Sequence, residues 1–371
     1  MNILGIELNH TLTIGDTVSE RTSGVDYFRI IQPLKMLQKH TNWHIEIRKN
    51  NQIFSGEEKN WDDLTKRFDI IFTGYNVAKP EAYVQMMVFA NRNNCKIVFD
   101  LDDDLWNIHE DNHVYERFHK GTEALHIATS ILRDVPNLIV TQNNLLKTVV
   151  ENTRRSSENI HVVPNFIDTQ LYNPKRRFED GKVTIFYSGS RTHVPDVYHM
   201  PFLKAIDAIM HDFPQVNLVF LGMFCDVFAK YGERYEVIEG ESDYMKFIPL
   251  WNMATQTADI GVIPLEDNKF NSSKSSLKYL EYASARLPVV ASNVYPYREE
   301  RRNGAPIPLV KDAREWYEAI EELVVNPQLR QRLGTDNYEY VCEKRSEDAC
   351  WRAYKEVFDK IWLDKHIITK L

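Results

Sequence analysis

The chain has 371 residues, of which 43% are hydrophobic and 12% aromatic, so it is long enough for two domains and apolar enough to give each one a core. This composition excludes a disordered chain. The formal net charge of -8 argues against attraction of the whole protein to a long polyanion such as nucleic acid, although a local basic groove stays open. The four cysteines include no CxxC pair and indicate neither a disulfide scaffold nor a zinc site.

The amino-terminal segment, MNILGIELNH, lacks the basic stretch and the apolar stretch of a signal peptide. No run in the sequence reaches about 18 apolar residues, the length that crosses a bilayer. We therefore expect a cytoplasmic protein without a transmembrane segment, and peripheral contact with a membrane stays open.

Short apolar runs rich in Ile, Val and Phe alternate with longer amphipathic stretches along most of the chain. Continuous apolar runs of this length are typical of strands that are buried on both faces of a parallel sheet. The predicted strands are 3–8, 43–47, 69–73, 96–101, 138–141 and 161–163, and then 183–187, 218–221, 235–238, 260–263 and 288–291. The clearest amphipathic helices are predicted at 27–39, 201–213, 275–286 and 347–361.

This alternation predicts βαβ units and hence the α/β class, with two doubly wound, Rossmann-like domains. A polar segment with two prolines, 162–182, separates the two series and has the composition of a linker. We assign 1–170 to the first domain and 171–346 to the second. The apolar stripe of the last helix needs a partner, so we expect 347–371 to pack back on the first domain.

Ligands of open α/β sheets bind beyond the carboxyl ends of the strands, where helix N-termini meet them. The segment NSSKSSLKYLEYASARLPVVAS, 271–292, lies at such a place. Lys274, Lys278 and Glu281 have the spacing of one helix face, which could hold a diphosphate at the loop and ribose hydroxyls at Glu281. A capped surface helix with a Lys278–Glu281 ion pair is the alternative. The candidate N-caps, whose neighbouring backbone N–H groups suit an anion, are Ser272, Ser273, Ser275 and Ser276.

The segment FYSGSRTHVPD, 186–196, is a second candidate loop, between a predicted strand and a helix. Gly189, followed by Ser190, permits close approach of the backbone to a ligand. Arg191 is a candidate phosphate ligand, and His193 could reach the same space. An ordinary strand-to-helix loop is the alternative.

The segment FDLDDDLW, 99–106, places an acidic cluster at the end of a predicted strand. Packed carboxylates repel and raise one another's pKa, and such clusters occur where a proton is exchanged, a hydroxyl is held or a metal binds. Helix capping by one carboxylate and solvation of the others is the alternative. The cluster consists of Asp100, Asp102, Asp103 and Asp104.

Three features near the amino terminus are weaker candidates. Gly24 lies in a loop before the first helix, where a residue that touches a ligand between the domains would lie. Tyr27 and Arg29 follow in that helix and face either the cleft or solvent. His10 follows the first strand and is a candidate cleft residue.

Taken together, these residues resemble the large retaining glycosyltransferase family, number four in the usual sequence classification, which has the GT-B fold of two facing Rossmann-like domains. The resemblance covers nearly the whole chain. It is carried by VVPNFIDTQLYNP (162–174), FYSGSRTHVPD (186–196), ADIGVIPL (258–265) and LKYLEYASARLPVVAS (277–292).

The family motif has two glutamates eight positions apart, and Glu281 matches the second, which contacts the nucleotide ribose. The first falls at Ser273, so the chain departs from the family at a residue placed near the donor sugar. The SKSSLK form resembles a divergent branch that also carries the acidic segment. By this resemblance, Lys274, Ser275 and Ser276 bind the diphosphate with help from Arg191, and the backbone of Phe247 and Ile248 contacts the base.

The resemblance implies a hexosyl- or pentosyltransferase that uses a UDP- or GDP-sugar, retains the anomeric configuration and needs no metal or other cofactor. The acidic cluster of the first domain would then orient the acceptor. The acceptor stays open between a glycan, a lipid-linked precursor, a small molecule and a hydroxymethylated pyrimidine base in DNA of the viral type. A non-catalytic nucleotide-sugar-binding scaffold and a nucleotide-sugar epimerase are the remaining alternatives. A dehydrogenase is disfavoured because no GxGxxG follows the first strand.

Overall fold

The computed structural model describes residues 1–8, 11–14, 17–50, 53, 61–74, 80–112, 114–172, 181–198 and 200–368. Within these ranges, the chain forms two separate six-stranded sheets and one short hairpin. No helix among these residues has the length and apolar character needed to cross a bilayer.

The first half of the chain forms one parallel sheet in the order β4-β1-β5-β6-β7-β8. Its inner strands are buried because their runs are apolar on both faces: all four residues of β7 are buried. The strands are β1 (Asn2–Glu7), β2 (Thr11–Ile14), β3 (Thr17–Glu20), β4 (His44–Lys49), β5 (Ile70–Gly74), β6 (Lys96–Leu101), β7 (Asn137–Val140) and β8 (Ile160–Val162), of which β2 and β3 form the hairpin.

The second half forms an equivalent parallel sheet in the order β11-β10-β9-β12-β13-β14. All six residues of its strand β9 are buried. The two sheets with their interleaved helices confirm the predicted α/β class with two Rossmann-like domains. The strands are β9 (Val183–Ser188), β10 (Val216–Leu221), β11 (Tyr235–Ile238), β12 (Ile260–Ile263), β13 (Val289–Ser292) and β14 (Leu309–Val310).

Helices connect the strands in both halves. In the first half they are α1 (Gly24–Asp26), which continues through a π turn (Tyr27–Ile31) into α2 (Gln32–His40), and α3 (Trp61–Arg67), α4 (Pro80–Asn93), α5 (Glu123–Asp134) and α6 (Asn143–Thr153). In the second half they are α7 (Val194–Val197), α8 (Met200–Asp212), α9 (Tyr244–Ala254), α10 (Lys269–Ser272), α11 (Leu277–Ser284), α12 (Tyr295–Arg302), α13 (Ala313–Val325), α14 (Pro327–Lys344) and α15 (Glu347–Ile368), with 3-10 segments at Arg191–His193 and Asp226–Arg234.

The last helix, α15, packs against the first sheet although it follows the second in sequence. Its side chains Tyr354 and Phe358 are fully buried in one cluster with Ile3 and Phe72 of the first sheet and Leu34 of α2. The helix therefore adds the last part of the chain to the apolar layer under the first sheet.

Several local features differ from the sequence-based expectation, among them the unpredicted strand β14 and the π turn at the start of the helix predicted at 27–39. The hairpin β2–β3 was not predicted, because alternation over two four-residue strands gives no sustained pattern. The predicted helix at 275–286 is shorter, since α11 covers only Leu277–Ser284 and the residues just before it are not helical.

Candidate active site

A cavity of about 1030 Å³ lies between the two sheets, at their carboxyl edges. Its wall includes residues that directly follow β9 and β10 and residues 102–103, which follow β6. Parallel strands end at the same edge, so loops far apart in sequence meet there. The interdomain position agrees with the expected place of a ligand.

The cavity brings together most of the candidate residues. Those that line it are Gly24, Asp102, Asp103, Gly189, Ser190, His193, Phe247, Lys274, Ser275, Lys278 and Glu281. Asp100, Ile248, Ser273 and Ser276 are buried and do not line it. His10 and the side chain of Arg191 lie outside the described residues.

The two lysines reach the cavity from different elements, which corrects the expected single helix face. Lys274 lies in the turn before α11, with its Nζ 3.6 Å from Asp103 Oδ1 and 4.5 Å from the ring centre of Phe270. Lys278 lies in the first turn of α11 and donates from Nζ to the carbonyl oxygen of Ser188 at 2.6 Å. Burial lowers the pKa of Lys278 to about 8, and the negative charge of Glu281 opposes that shift.

Glu281 lies one turn further along α11, with only 8% of its surface exposed. Its Oε1 accepts a hydrogen bond from the hydroxyl of Tyr172 at 2.9 Å, and that hydroxyl lies 2.6 Å from the hydroxyl of Tyr244. Burial raises the pKa of Glu281 to about 7, while the hydrogen bond from Tyr172 and the charge of Lys278 act in the opposite direction. No pattern in the sequence had indicated that Tyr172 and Tyr244 would meet Glu281.

The serines before α11 do not act as the predicted caps. Ser276 has the N-cap position, but its hydroxyl donates to Glu300 Oε1 at 2.7 Å. The Ser275 hydroxyl accepts from Asn165 Nδ2 at 2.9 Å, and that of Ser273 donates to Asp104 Oδ2 at 3.4 Å. In the part of the chain that the structure describes, Ser276 therefore makes no side-chain cap bond to α11. The N–H of Tyr279 is bonded to the Ser276 carbonyl oxygen at 2.9 Å, whereas the preceding N–H groups, of Leu277 and Lys278, belong to the helix start, where N–H groups have no acceptor within the helix.

The four aspartates of the acidic segment lie in two environments: two are held by hydrogen bonds within the protein, and two line the cavity. Asp100, which is 4% exposed, accepts from Arg29 Nε at 2.9 Å and from Arg29 Nη2 at 2.8 Å, so both of its oxygens are occupied. Asp104 accepts from the backbone N–H groups of Trp106 and Asn107 and closes the turn after β6. The expectation that Asp100 meets a ligand is therefore corrected: it holds Arg29.

Asp102 and Asp103 face the cavity instead. Burial raises the pKa of Asp102 to about 7, and the charges of Asp103 and Asp100 add to the shift. This agrees with the expected repulsion between packed carboxylates. Among the described residues, no group of three His, Cys, Asp or Glu side chains is placed to hold a metal ion.

Arg29 also joins the two domains through a buried chain of hydrogen bonds. Its Nη1 donates to the carbonyl oxygen of Val163 at 2.9 Å and to Asn165 Oδ1 at 2.8 Å. Asn165 in turn donates to Ser275, beside α11. The π turn that carries Arg29 is a helix irregularity of the kind common at functional sites.

Comparison with known proteins agrees with this geometry. Residues 182–326 match the family model described as glycosyl transferases group 1, and no curated protein matches the chain. Among solved structures, Alr3699/HepE of Anabaena, in complex with UDP-glucose, is 12% identical over 97% of this chain and 100% of its own, with a TM-score of 0.64. A glycosyltransferase from Rickettsia africae is 13% identical over 97% of this chain and 98% of its own (TM-score 0.63), and sucrose-phosphate synthase from Thermosynechococcus elongatus is 14% identical over 98% and 99% (TM-score 0.61).

These structures share the GT-B arrangement of two Rossmann-like domains. The residues of this chain that match the group 1 glycosyltransferase model, 182–326, contain all six strands of the second sheet. The protein is therefore a glycosyltransferase.

Proposed function

We propose that the protein transfers a sugar from a UDP- or GDP-sugar to an acceptor hydroxyl with retention of the anomeric configuration. One observation carries the proposal: Lys274, Lys278 and Glu281 meet in a single interdomain cavity at the uncapped start of α11. Two cations and the free N–H groups of a helix start favour a diphosphate. The complex of Anabaena HepE with UDP-glucose supports the same class of donor.

In this proposal the donor lies across the ends of the second sheet. The diphosphate binds Lys274, Lys278, Ser275 and the loop at Gly189, with Arg191 adding a cation. The ribose binds Glu281, whose carboxylate is already positioned by Tyr172. The base lies beside Phe247, which lines the cavity, whereas Ile248 supports it from the core.

The cations matter most in the transition state, because negative charge develops on the leaving diphosphate as the bond to the sugar breaks. Donors fixed in place before the reaction stabilise that charge without reorganising. The acceptor hydroxyl attacks from the face that the diphosphate leaves, and a phosphate oxygen of the donor takes its proton. Asp102 and Asp103 of the first domain orient the acceptor, and the reaction needs no cofactor beyond the nucleotide sugar.

We place the domain boundary near residue 170, with 171–346 as the donor domain and the helix from 347 completing the acceptor domain. The contacts of Tyr354 and Phe358 with the first sheet support this division. A glycan, a lipid-linked precursor, a small molecule and a hydroxymethylated base in DNA are the acceptor classes to test.

A direct test incubates the purified protein with UDP-glucose, UDP-galactose, UDP-N-acetylglucosamine and GDP-mannose, with and without each acceptor class. We expect release of UDP or GDP from one donor, and NMR of the product should show the anomeric configuration of the donor. Nucleotide binding without hydrolysis or transfer would favour the scaffold. A new sugar isomer still joined to the nucleotide would favour the epimerase.

A further inference from the structure

His193 and Asp196 form a rigid pair in the wall of the cavity. His193 Nδ1 lies 2.9 Å from Asp196 Oδ2. The other oxygen of Asp196 accepts from the backbone N–H of Glu266 at 3.0 Å and from Asn271 Nδ2 at 2.8 Å. Asp196 is only 4% exposed, and two segments hold its carboxylate: the turn that carries His193, and the loop after β12, which supplies Glu266 and Asn271.

The charges around this pair determine which nitrogen carries the proton. Burial raises the pKa of Asp196, but the hydrogen bonds from His193 and from the backbone N–H of Glu266 help to hold the pKa below its ordinary value. Burial and the positive charge of Lys278 lower the pKa of His193 to about 4. At neutral pH, an ionised Asp196 therefore accepts a proton from Nδ1 of a neutral ring, and Nε2 is left as an acceptor only.

The order of the strands places His193 at one end of the proposed donor site. The loops after β11 and β10, at Gly240 and Gly222, form one end of the cavity, and the loop after β9 forms the middle. Asp196 is bonded to Glu266 in the loop after β12, on the far side of β9 from the base. The three strand spacings from β11 to β12 span about 14 Å, enough for base, diphosphate and sugar in sequence.

A nitrogen at this end of the donor site could contact a phosphate, act as a general base or contact a sugar hydroxyl. An acceptor-only nitrogen excludes the first two roles. It repels phosphate oxygens, which are acceptors themselves. A group with a pKa of about 4 is also a weak general base at neutral pH, since an efficient base has a pKa near the working pH. A hydroxyl group is the partner that Nε2 can hold.

The chain also lacks a sugar-facing group at Ser273. That side chain is buried against Asp104 and does not line the cavity. Asn271, two residues earlier, instead holds Asp196. His193 lines the cavity beside this loop, together with Lys274 and Ser275.

We propose that His193 Nε2 accepts a hydrogen bond from one hydroxyl of the transferred sugar, and that Asp196 is a positioning residue that keeps Nε2 an acceptor. The proposal rests on the proposed function, because it assumes a nucleotide sugar in this cavity. It makes the pair a determinant of donor-sugar specificity.

The test compares affinity for a nucleotide with affinity for the corresponding nucleotide sugar. A thermal-shift screen of the four donors named above selects the one that stabilises the wild type most. Calorimetry then gives the dissociation constants of that donor and of its free UDP or GDP for the wild type, His193→Ala and Asp196→Asn. We expect both variants to bind the free nucleotide within about twofold of the wild type and to bind the nucleotide sugar about fivefold more weakly, the loss for one neutral hydrogen bond.

Asp196→Asn is the sharper variant because it keeps the shape of the side chain. Its amide N–H donates to Nδ1, which moves the ring proton to Nε2 and turns the acceptor into a donor. Deoxy analogues of the selected donor identify the hydroxyl: one analogue should bind the wild type more weakly, and His193→Ala should bind that analogue and the parent donor equally well.

The outcomes are distinct. An equal loss of affinity for the nucleotide and the nucleotide sugar would overturn the proposal and leave the proposed function standing. The same conclusion would follow if each deoxy analogue that binds the wild type more weakly than the parent donor also binds His193→Ala more weakly than the parent donor. This comparison changes the ligand within one protein, so it does not depend on how a substitution affects the core. Absence of UDP and GDP binding by the folded wild type would overturn the proposed function itself.

Discussion

Glu281 and Lys278 are two ionisable side chains, three residues apart, that the fold buries beside the same cavity. Burial penalises the charged form of each group, and it raises the pKa of Glu281 to about 7 and lowers that of Lys278 to about 8. Such opposed shifts are common at functional sites. A ribose hydroxyl at Glu281 and a phosphate at Lys278 would add to the hydrogen bonds that these groups make with Tyr172 and with the carbonyl oxygen of Ser188.

The raised pKa of Glu281 predicts a pH-dependent stability. Between about pH 4.5 and pH 7 the folded state keeps a proton that the unfolded state has released, so the free energy of unfolding falls as the pH rises through this window. Glu281→Gln removes the titration, and we expect the variant to gain on the order of 3 kcal/mol relative to wild type between pH 4.5 and pH 7. Urea unfolding at several pH values measures the difference.

The exposed substitution Glu236→Gln is the control, and its effect should stay nearly constant with pH. The same Glu281→Gln variant should bind UDP or GDP about tenfold more weakly, because the ribose loses a charged acceptor. A flat stability difference together with unchanged nucleotide affinity would contradict both the burial argument and the ribose assignment.

Asp102 and Asp103 should separate acceptor binding from donor binding. The double substitution Asp102→Asn, Asp103→Asn keeps the shape of the segment but removes its charge. We expect nucleotide affinity within about twofold and a loss of transfer rate of at least about tenfold, the scale of one lost charged hydrogen bond. Parallel calorimetry and transfer assays measure the two effects, and a collapse of donor binding would show that the segment is not an acceptor element.

A glycine follows each of the strands β9, β10 and β11, and these glycines let the backbone at the strand ends of the second sheet approach closely. Gly222 has a φ of +96°, and a Cβ built on it would lie 2.6 Å from the carbonyl oxygen of Gly189 and 3.9 Å from Cα of Gly240. All three residues line the cavity. The close backbone contact leaves room for a flat ligand over the strand ends.

Gly222→Ala should therefore destabilise the fold by about 2 kcal/mol or more and weaken nucleotide binding, because the added methyl group strains the backbone and displaces the loop after β9. Gly304→Ala is the matched control: Gly304 has a φ of +105°, but nothing lies within 4 Å of its Cβ position. Thermal unfolding and UDP calorimetry measure both variants. Equal destabilisation of the two variants would show that the close contact between Gly222 and Gly189 does not determine the cost of the added methyl group.

The sequence predicted the elements whose signal is local. Strands β6, β11 and β12 have the predicted bounds because each is a short apolar run between polar residues. Local spacing pointed to Lys274, Lys278 and Glu281 as cavity residues, although Lys274 reaches the cavity from the turn before α11 and not from a shared helix face. The partner of Asp100, however, is 71 residues away, and that of Glu281 is 109 residues away. A periodic pattern in the sequence cannot predict contacts between residues so far apart. The role of Asp100 and the contact of Tyr172 with Glu281 therefore became visible only in the structure.

Helix α15 follows the second domain in sequence but packs against the first sheet. Phe358 is fully buried between Ile3, Leu34 and Phe72, so Phe358→Ala should cost about 3–5 kcal/mol of unfolding free energy. Leu363→Ala, on the same helix but 55% exposed, should change it by less than about 0.5 kcal/mol. Urea unfolding gives both values, and a cost below about 1 kcal/mol for Phe358→Ala would contradict the packing of α15 on the first sheet.

The central claim is a diphosphate site at the start of α11. Its most direct test is calorimetric titration of UDP and GDP into the wild type, Lys274→Ala and Lys269→Ala. Lys269 lies on α10, five residues before Lys274, but is exposed and does not line the cavity. We predict that the wild type binds at least one of the two nucleotides, that Lys274→Ala weakens binding by about tenfold or more, and that Lys269→Ala leaves it unchanged. Failure of the folded wild type to bind either nucleotide, or equal affinities of the two variants, would contradict a diphosphate site at the start of α11.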